Sequence, residues 1–210
     1  DIKFESNLKF LQNGLVNEKK FLFKNINTDS NNSTNFKNKQ TVELIPTLQT
    51  NYFFPLKKET KSFNNIMTPR LSLRISLPTT KDISKNDRTI NYDNIYDLNR
   101  IGIEETSEGG VSATYGYEYL KIDKTNLEQR LKIGFANNLR LEENKDLPTN
   151  TNLGDKVSDF VGLFEYKPND NFKLNYDFSI KNNLADTNYE LYGFEFFLKN
   201  LSTKFEYLNE

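Results

Sequence analysis

The segment from Leu131 to Leu141 alternates between apolar and polar side chains with a period of two, the pattern of an extended strand, and Asn137 is the only break on the apolar side. Its apolar set is Leu131, Ile133, Phe135, Leu139 and Leu141. The same alternation returns over 172–181. These strands run to about eleven residues, against roughly 5–6 in a typical globular sheet, and a tilted strand needs about 9–11 residues to cross the hydrocarbon of a bilayer. Strand length is therefore the feature that most constrains the fold.

The spacing of such segments predicts ten strands within the 210 residues. They cover 2–11, 15–26, 41–54, 66–77, 110–122, 127–141, 156–167, 171–182, 189–199 and 201–210. Short and long connections alternate between them: the Asn13-Gly14 turn precedes the polar stretch 27–40, and the short link 57–64 precedes the long segment 78–109. Outer-membrane barrels show this asymmetry, with short periplasmic turns and longer extracellular loops. We predict an all-β fold, an antiparallel up-and-down meander of about ten long strands in a larger outer-membrane β-barrel. The alternative is a soluble β-sandwich.

The composition excludes several classes of function. The chain has no Cys and no His, so it has no disulfide, no thiol nucleophile and no histidine base, and a zinc site is not expected. The formal charge of −1 gives no basic field for nucleic acid. A mean hydropathy of −0.73 without an 18-residue apolar run excludes a transmembrane helix. We predict no catalytic residue, no metal ion and no cofactor.

Basic side chains lie on the polar faces of the fourth and sixth predicted strands. They are Arg70, Arg74, Arg130, Lys132 and Arg140. In a barrel this face lines the lumen, because a charge facing lipid costs about 2–4 kcal/mol at the midplane. They form either a cationic stripe for phosphorylated lipid or ion pairs with acids such as Glu118, Glu128 and Asp177.

Prolines gather around the third and fourth predicted strands. Pro46, Pro55, Pro69 and Pro78 are placed near strand ends, where a missing backbone donor costs least. Around them the chain has Ile45-Pro46-Thr47-Leu48, Tyr52-Phe53-Phe54-Pro55-Leu56 and Met67-Thr68-Pro69-Arg70-Leu71. A second set of segments follows: Tyr92-Asp93-Asn94-Ile95-Tyr96-Asp97-Leu98-Asn99-Arg100, then Gly102, and Glu108-Gly109-Gly110 leading to Tyr115-Gly116.

In this order and spacing these segments resemble the C-terminal barrel domain of the LptD family, the lipopolysaccharide-assembly or organic solvent tolerance proteins. The residues that carry the loop motif are Asn94, Asn99, Arg100, Gly102, Gly109, Tyr115 and Gly116. The chain departs from the family at Glu104-Glu105, where the family has Asp-Arg. The match covers about 45–120 well, and the remainder only by strand pattern.

The resemblance implies a function in the outer membrane of a Gram-negative bacterium. The chain would supply barrel wall and a lumen-associated loop to the translocon that inserts lipopolysaccharide into the outer leaflet, without acting as an enzyme. The implied partners are lipopolysaccharide, a plug lipoprotein inside the barrel and the periplasmic lipopolysaccharide-bridge protein, the last through an N-terminal domain that these residues lack. Residues 1–210 would be one internal segment of the barrel. The alternatives are a porin-like barrel or adhesin anchor, and a soluble carbohydrate-binding β-sandwich.

The segment 78–109 is too long for a plain connection in a compact fold. We expect it to fold into or over the lumen, with Arg100 pairing to inward-facing carboxylates. That pair either guides an anionic lipid head or simply holds the loop. The acidic side chains of the segment are expected to be solvated rather than to bind a divalent cation. They are Asp93, Asp97, Glu104, Glu105 and Glu108.

Overall fold

The computed structural model describes residues 3–12, 15–27, 42–78, 80–103 and 106–210, with side chains from Pro46 onward. These ranges contain one sheet of eleven strands. They are β1 (Lys3–Gln12), β2 (Leu15–Asn27), β3 (Val42–Phe53), β4 (Leu56–Glu59), β5 (Phe63–Ser76), β6 (Gly110–Asp123), β7 (Gln129–Arg140), β8 (Phe160–Asn169), β9 (Phe172–Ile180), β10 (Thr187–Leu198) and β11 (Leu201–Asn209). The predicted Asn13-Gly14 turn, most of the connection 27–40 and the Glu104-Glu105 pair lie outside the described residues. No helix in the described part of the chain is long and apolar enough to cross a membrane.

The strands follow one another across the sheet in chain order, and neighbouring strands run antiparallel. The predicted antiparallel meander of ten long strands is confirmed. Among the described pairings, none joins β1 to β11. The sheet is therefore an open arc, as expected for part of a larger barrel.

The predicted link 57–64 is wrong, because it contains the additional strand β4 and the beginning of β5. β4 continues β3 in the same register on β5: Phe53 pairs with Arg70, and Leu56 with Met67. Between them the Phe54 N–H donates to the Pro69 carbonyl at 3.1 Å. Pro69 has no N–H to return that bond, so the ladder is interrupted there. Pro69 thus lies within β5 rather than near a strand end, and the hairpin turn shortens to residues 60–62.

Strand β5 has exposed apolar side chains and buried polar side chains, the reverse of the arrangement in a soluble protein. On β5 the apolar side chains of Leu73 and Ile75 are 44% and 55% exposed, whereas the alternating Ser72 and Arg74 are 3% and 4% exposed. On this strand the apolar face is bare, and the polar face is covered.

The long connections that the structure describes all join the strands at the same end, which we call the long-loop edge. The residues between β5 and β6, β7 and β8, and β9 and β10 are 77–109, 141–159 and 181–186. The connections at the opposite end of the strands, which we call the short-turn edge, are 60–62, 124–128, 170–171 and 199–200. The predicted alternation is present in every described connection.

The apolar core lies on the polar side of the sheet and not within the sheet itself. Ile83, Ile90 and Ile95 of the 77–109 connection pack with Leu147 and Leu153 of the 141–159 connection. Beneath them the sheet contributes small or aliphatic residues: Ala136, Val161 and Leu163. The two connections therefore form a small folded layer docked on the sheet.

Candidate functional site

The 77–109 connection is shaped by a run of asparagine turns. The Asn91 and Asn94 side chains cap each other's segment: the Asn94 N–H donates to Asn91 Oδ1 and the Asn91 N–H to Asn94 Oδ1, both at 3.0 Å. The Asn94 amide also donates to the Thr89 carbonyl at 3.0 Å. The Gly102 N–H donates to the Asn99 carbonyl at 3.0 Å, and Gly102 has a φ of +69°, which glycine adopts without strain. These turns wind the loop motif into a compact segment over 89–102, which we call the coil.

Two tyrosines of this coil sit on glycines of the polar face. A Cβ at Gly134 of β7 would overlap the Tyr92 ring, and one at Gly116 of β6 would overlap the Tyr96 hydroxyl and the Phe135 carbonyl. The two rings meet edge to face with centroids 6.2 Å apart. The loop can approach the sheet this closely only because both strand positions lack a side chain.

Arg100 is buried and fully engaged. Its guanidinium binds the Glu108 carboxylate in a bidentate arrangement, with Nε–Oε2 at 2.6 Å and Nη2–Oε1 at 2.5 Å. Nη1 donates to Thr114 Oγ1 of β6 and Asn138 Oδ1 of β7, both at 3.0 Å, and Nη2 donates to Ser112 Oγ at 3.1 Å. One side chain thus ties the coil, the end of the loop and two strands together.

Two further guanidiniums converge on the same carboxylate. Arg140 of β7 places Nη1 2.5 Å from Glu108 Oε1 and donates from Nη2 to the Gly109 carbonyl. Arg74 of β5 has its Nε 3.9 Å from Glu108 Oε2 and donates from Nη1 to the Leu98 carbonyl. We call Arg74, Arg100, Arg140 and Glu108 the arginine cluster.

Glu108 remains ionised in this setting. Burial alone would raise the pKa of Glu108, but the charges of Arg100, Arg74 and Arg140 outweigh it and lower the pKa to about 2. The expectation of a solvated acidic loop is wrong for Glu108, which is 3% exposed, and holds for Asp93, whose side chain is 73% exposed. Within the described ranges, no group of acids is placed to hold a metal ion.

The remaining basic residues are divided between two places. Arg70 stacks under the coil, its guanidinium carbon 4.1 Å from the centre of the Tyr96 ring and Nη1 3.7 Å from Glu118 Oε2. Lys132 lies 3.9 Å from Asp93 of the loop. Arg130 lies at the short-turn edge, 2.8 Å from Asp170 and 3.4 Å from Glu128. All five predicted basic residues therefore have an acidic neighbour, and Arg74 and Arg140 are buried beneath the loop.

The other motif residues have varied positions. A Cβ at Gly109 would lie 2.5 Å from the Leu77 carbonyl, so this glycine lets the two ends of the loop lie directly against each other. Tyr115 is 47% exposed on the apolar face, away from the loop. Pro46 lies within β3, where its carbonyl accepts from Ser76 Oγ at 3.3 Å, and Pro55 lies in the gap between β3 and β4.

Several residues of the site were not singled out from the sequence. They are Thr114, Gly134, Asn138 and Gln49, whose amide donates to the Tyr96 carbonyl at 2.7 Å. Tyr92 and Tyr96 were quoted only as part of the motif segment. The period-two pattern places Gly134 and Asn138 on the polar face of β7, and this was the available signal. The sequence predicted a loop that folds into or over the lumen, but it did not indicate which polar-face residues the loop would cover.

A long-stranded meander with a bare apolar face, a polar face partly covered by loops, and long loops at one end of the strands defines the class of the outer-membrane β-barrels. The chain matches the family described as LptD, LPS transport system D, over residues 15–210. It belongs to that family, whose role is lipopolysaccharide transport. A comparison with curated proteins finds no match.

Proposed function

We propose that this chain forms a stretch of the outer-membrane barrel wall through which lipopolysaccharide reaches the outer leaflet. Its polar face lines the lumen, and the 77–109 connection is a lumen-associated loop. Its function is transport and not catalysis.

The observation that carries the proposal is the dimension of the bare apolar face. Along β5 the outward side chains are apolar from Met67 to Ile75, and Leu77 continues the series beyond the strand, with 40–55% exposure at Met67, Leu71, Leu73, Ile75 and Leu77. This stretch covers about 33 Å along the chain at ~3.3 Å per residue. At a tilt of about 40° it spans about 25 Å along the membrane normal, which is the height of the apolar band of outer-membrane barrels.

The arginine cluster supports a bracing role for the loop. A bidentate ion pair in which every Arg100 nitrogen donates fixes a geometry, and breaking one partner of a buried pair costs about 3–5 kcal/mol. The loop is therefore a fixed part of the lumen wall that narrows it from one side.

Part of the polar face remains open for cargo and for the plug lipoprotein. On β9 the side chains of Lys173, Asn175 and Asp177 are half-buried on the polar face. Lys173 lies 3.4 Å from Glu165 of β8, so this surface carries both signs of charge. It offers charge-assisted bonds to lipid phosphates and to a polar protein surface. Delivery from the periplasmic bridge protein would reach it from the short-turn edge.

Site-specific photocrosslinking in the full-length outer-membrane protein tests this function. A photoreactive residue at Asn175 faces the polar side, and one at the adjacent Tyr176 faces the apolar side. Lipopolysaccharide adducts at 175 should disappear when lipopolysaccharide synthesis is stopped, because that lipid is in transit. Adducts at 176 should persist, because they come from resident lipid.

Two outcomes would contradict the proposal. One is the absence of lipopolysaccharide adducts at 175, and the other is adducts at 175 that survive the loss of supply. A porin-like barrel would give the first result together with ion conductance.

A further inference from the structure

The apolar face ends abruptly at the short-turn edge. Leu56, Met67 and Tyr119 form one row across β4, β5 and β6. The next row outward is Lys58, Asn65 and Lys121. The face thus changes from aliphatic to aromatic to basic within two rows, about 7 Å of strand.

A groove lies at this boundary. It has a volume of about 450 Å³ and is lined by Leu56, Met67, Tyr117 and Tyr119 on the apolar side, and by Lys58 on the outer side. The Tyr119 hydroxyl donates to Asn65 Oδ1 at 2.8 Å, which holds this ring at the rim. The groove therefore has an apolar wall, an aromatic rim and a cationic end.

Two lysines at this boundary are available to a ligand: Lys58 lines the groove, and Lys121 lies beside it in the same row. Among the described residues, neither Lys58 nor Lys121 has a carboxylate within salt-bridge distance, whereas Lys57 and Lys124 both pair with Glu59, at 2.6 and 3.0 Å. Lys121 Nζ lies 4.1 Å from the centre of the Phe63 ring. Lys58 and Lys121 lie on the two strands that flank Asn65, so their backbones are about 10 Å apart. Two lysine side chains can close that distance around one phosphate.

We propose that this groove binds an anionic phospholipid of the membrane, with its phosphate between Lys58 and Lys121 and an acyl chain along Leu56 and Met67. The proposal rests on the proposed function, because it needs the apolar face to contact lipid. Charge complementarity selects the occupant: unpaired lysines just outside an apolar band attract anionic headgroups, and tyrosine is the residue that prefers this depth.

Tryptophan quenching by brominated lipids tests the site. These 210 residues contain no tryptophan, and the signal of each reporter is taken as the difference from the full-length parent protein. The reporter Met67→Trp lies in the groove, and Leu73→Trp lies on the same face of β5 in the middle of the band. Each full-length variant is reconstituted into vesicles that contain brominated phosphatidylglycerol or brominated phosphatidylcholine, and the relative binding constant is obtained from the quenching.

We expect phosphatidylglycerol to be preferred at Met67→Trp by about fivefold for each lysine, and Leu73→Trp to show no preference. Lys58→Gln or Lys121→Gln should each remove about fivefold, and the double variant should remove the preference. Lys145→Gln, which changes an exposed side chain of the 141–159 connection at the other end of the strands, is the matched control and should change nothing.

The proposal is overturned if Met67→Trp shows no preference, or if the preference survives in the double variant. It is also overturned if no lipid quenches Met67→Trp, since a protein surface then covers the groove. Quenching at Leu73→Trp separates the two claims. If that reporter is quenched while the groove fails, the lipid-facing sheet stands, and if neither is quenched, the proposed function fails as well.

Discussion

Replacement of Glu108 by glutamine is expected to release the loop from the polar face. The substitution keeps the shape of the side chain but removes the only carboxylate that the described residues place among Arg74, Arg100 and Arg140. Three buried guanidiniums are then left without a counter-charge.

The magnitude follows from the geometry of the cluster. A unit ion pair at 4 Å and an effective dielectric constant of 20 is worth about 4 kcal/mol, and Glu108 makes two close pairs. Desolvation offsets part of this gain, and the amide oxygen still accepts one neutral bond. Removal of one partner from a buried pair costs about 3–5 kcal/mol, so we take about 3 kcal/mol for loop docking. That value corresponds to roughly a hundredfold rise in the undocked population.

Amide hydrogen exchange of the full-length protein in detergent micelles measures that population directly. Peptides covering 90–102 contain amides protected by the coil, such as that of Ile95, which donates to the Asn91 carbonyl at 3.1 Å. Their exchange should accelerate roughly a hundredfold in Glu108→Gln. Peptides from β9 should exchange as in the wild type.

Two further variants make the reasoning refutable. Glu143→Gln removes an exposed acid from the neighbouring connection and should leave exchange unchanged. Adding Arg140→Gln to Glu108→Gln removes one uncompensated charge, so the double variant should lose less protection than the sum of the single variants. A change below about threefold in Glu108→Gln, or strict additivity in the pair, would show that the cluster does not hold the loop.

Three other predictions concern the pH range, the packing and the apolar face. The folded pKa of Glu108, about 2, lies below the ordinary value of about 4.3, so docking should be constant from pH 7 to 5 and weaken as the pH falls from 4 towards 2. Exchange corrected for its intrinsic rate should show this step in the wild type and lack it in Glu108→Gln. Gly134→Ala should accelerate amide exchange in the 90–102 peptides, because the added Cβ overlaps the Tyr92 ring. Gly193→Ala places its Cβ 3.2 Å from the nearest atoms and should leave that exchange unchanged. Leu73→Lys should lower the free energy of unfolding by about 2–4 kcal/mol and reduce the fraction of folded barrel on heat-modifiability gels. Leu184→Lys changes an exposed residue of a connection and should leave both quantities unchanged.

The strands and their faces were predictable because a period of two is a local property of the sequence. Leu73 and Arg74 are assigned to opposite faces by alternation alone, and the structure shows that pattern with the exposure of a membrane sheet. β4 escaped prediction because Pro55 directly precedes it and two of its four residues are lysines, and proline and lysine are both depleted in strands.

The arrangement of the site was not predictable, because it depends on contacts between distant residues. Glu108 meets Arg140, which is 32 positions away, and the sequence around Glu108 alone indicates a solvated acid. The Tyr92 ring lies on Gly134 only because the asparagine turns fold the loop back across the sheet. Local patterns cannot predict that path.

Spin labels placed singly at consecutive positions of β7, around Lys132 and Ile133, test the central claim most directly. In the reconstituted full-length protein, collisions with dissolved oxygen should peak at Ile133 and other odd positions, which face lipid. Collisions with a water-soluble nickel complex should peak at Arg130 and Lys132, because the loop covers Gly134, Ala136 and Asn138. A period of two with these phases is the result that the account predicts. Equal access of the nickel complex to both sets would contradict it and would indicate a sheet surrounded by water.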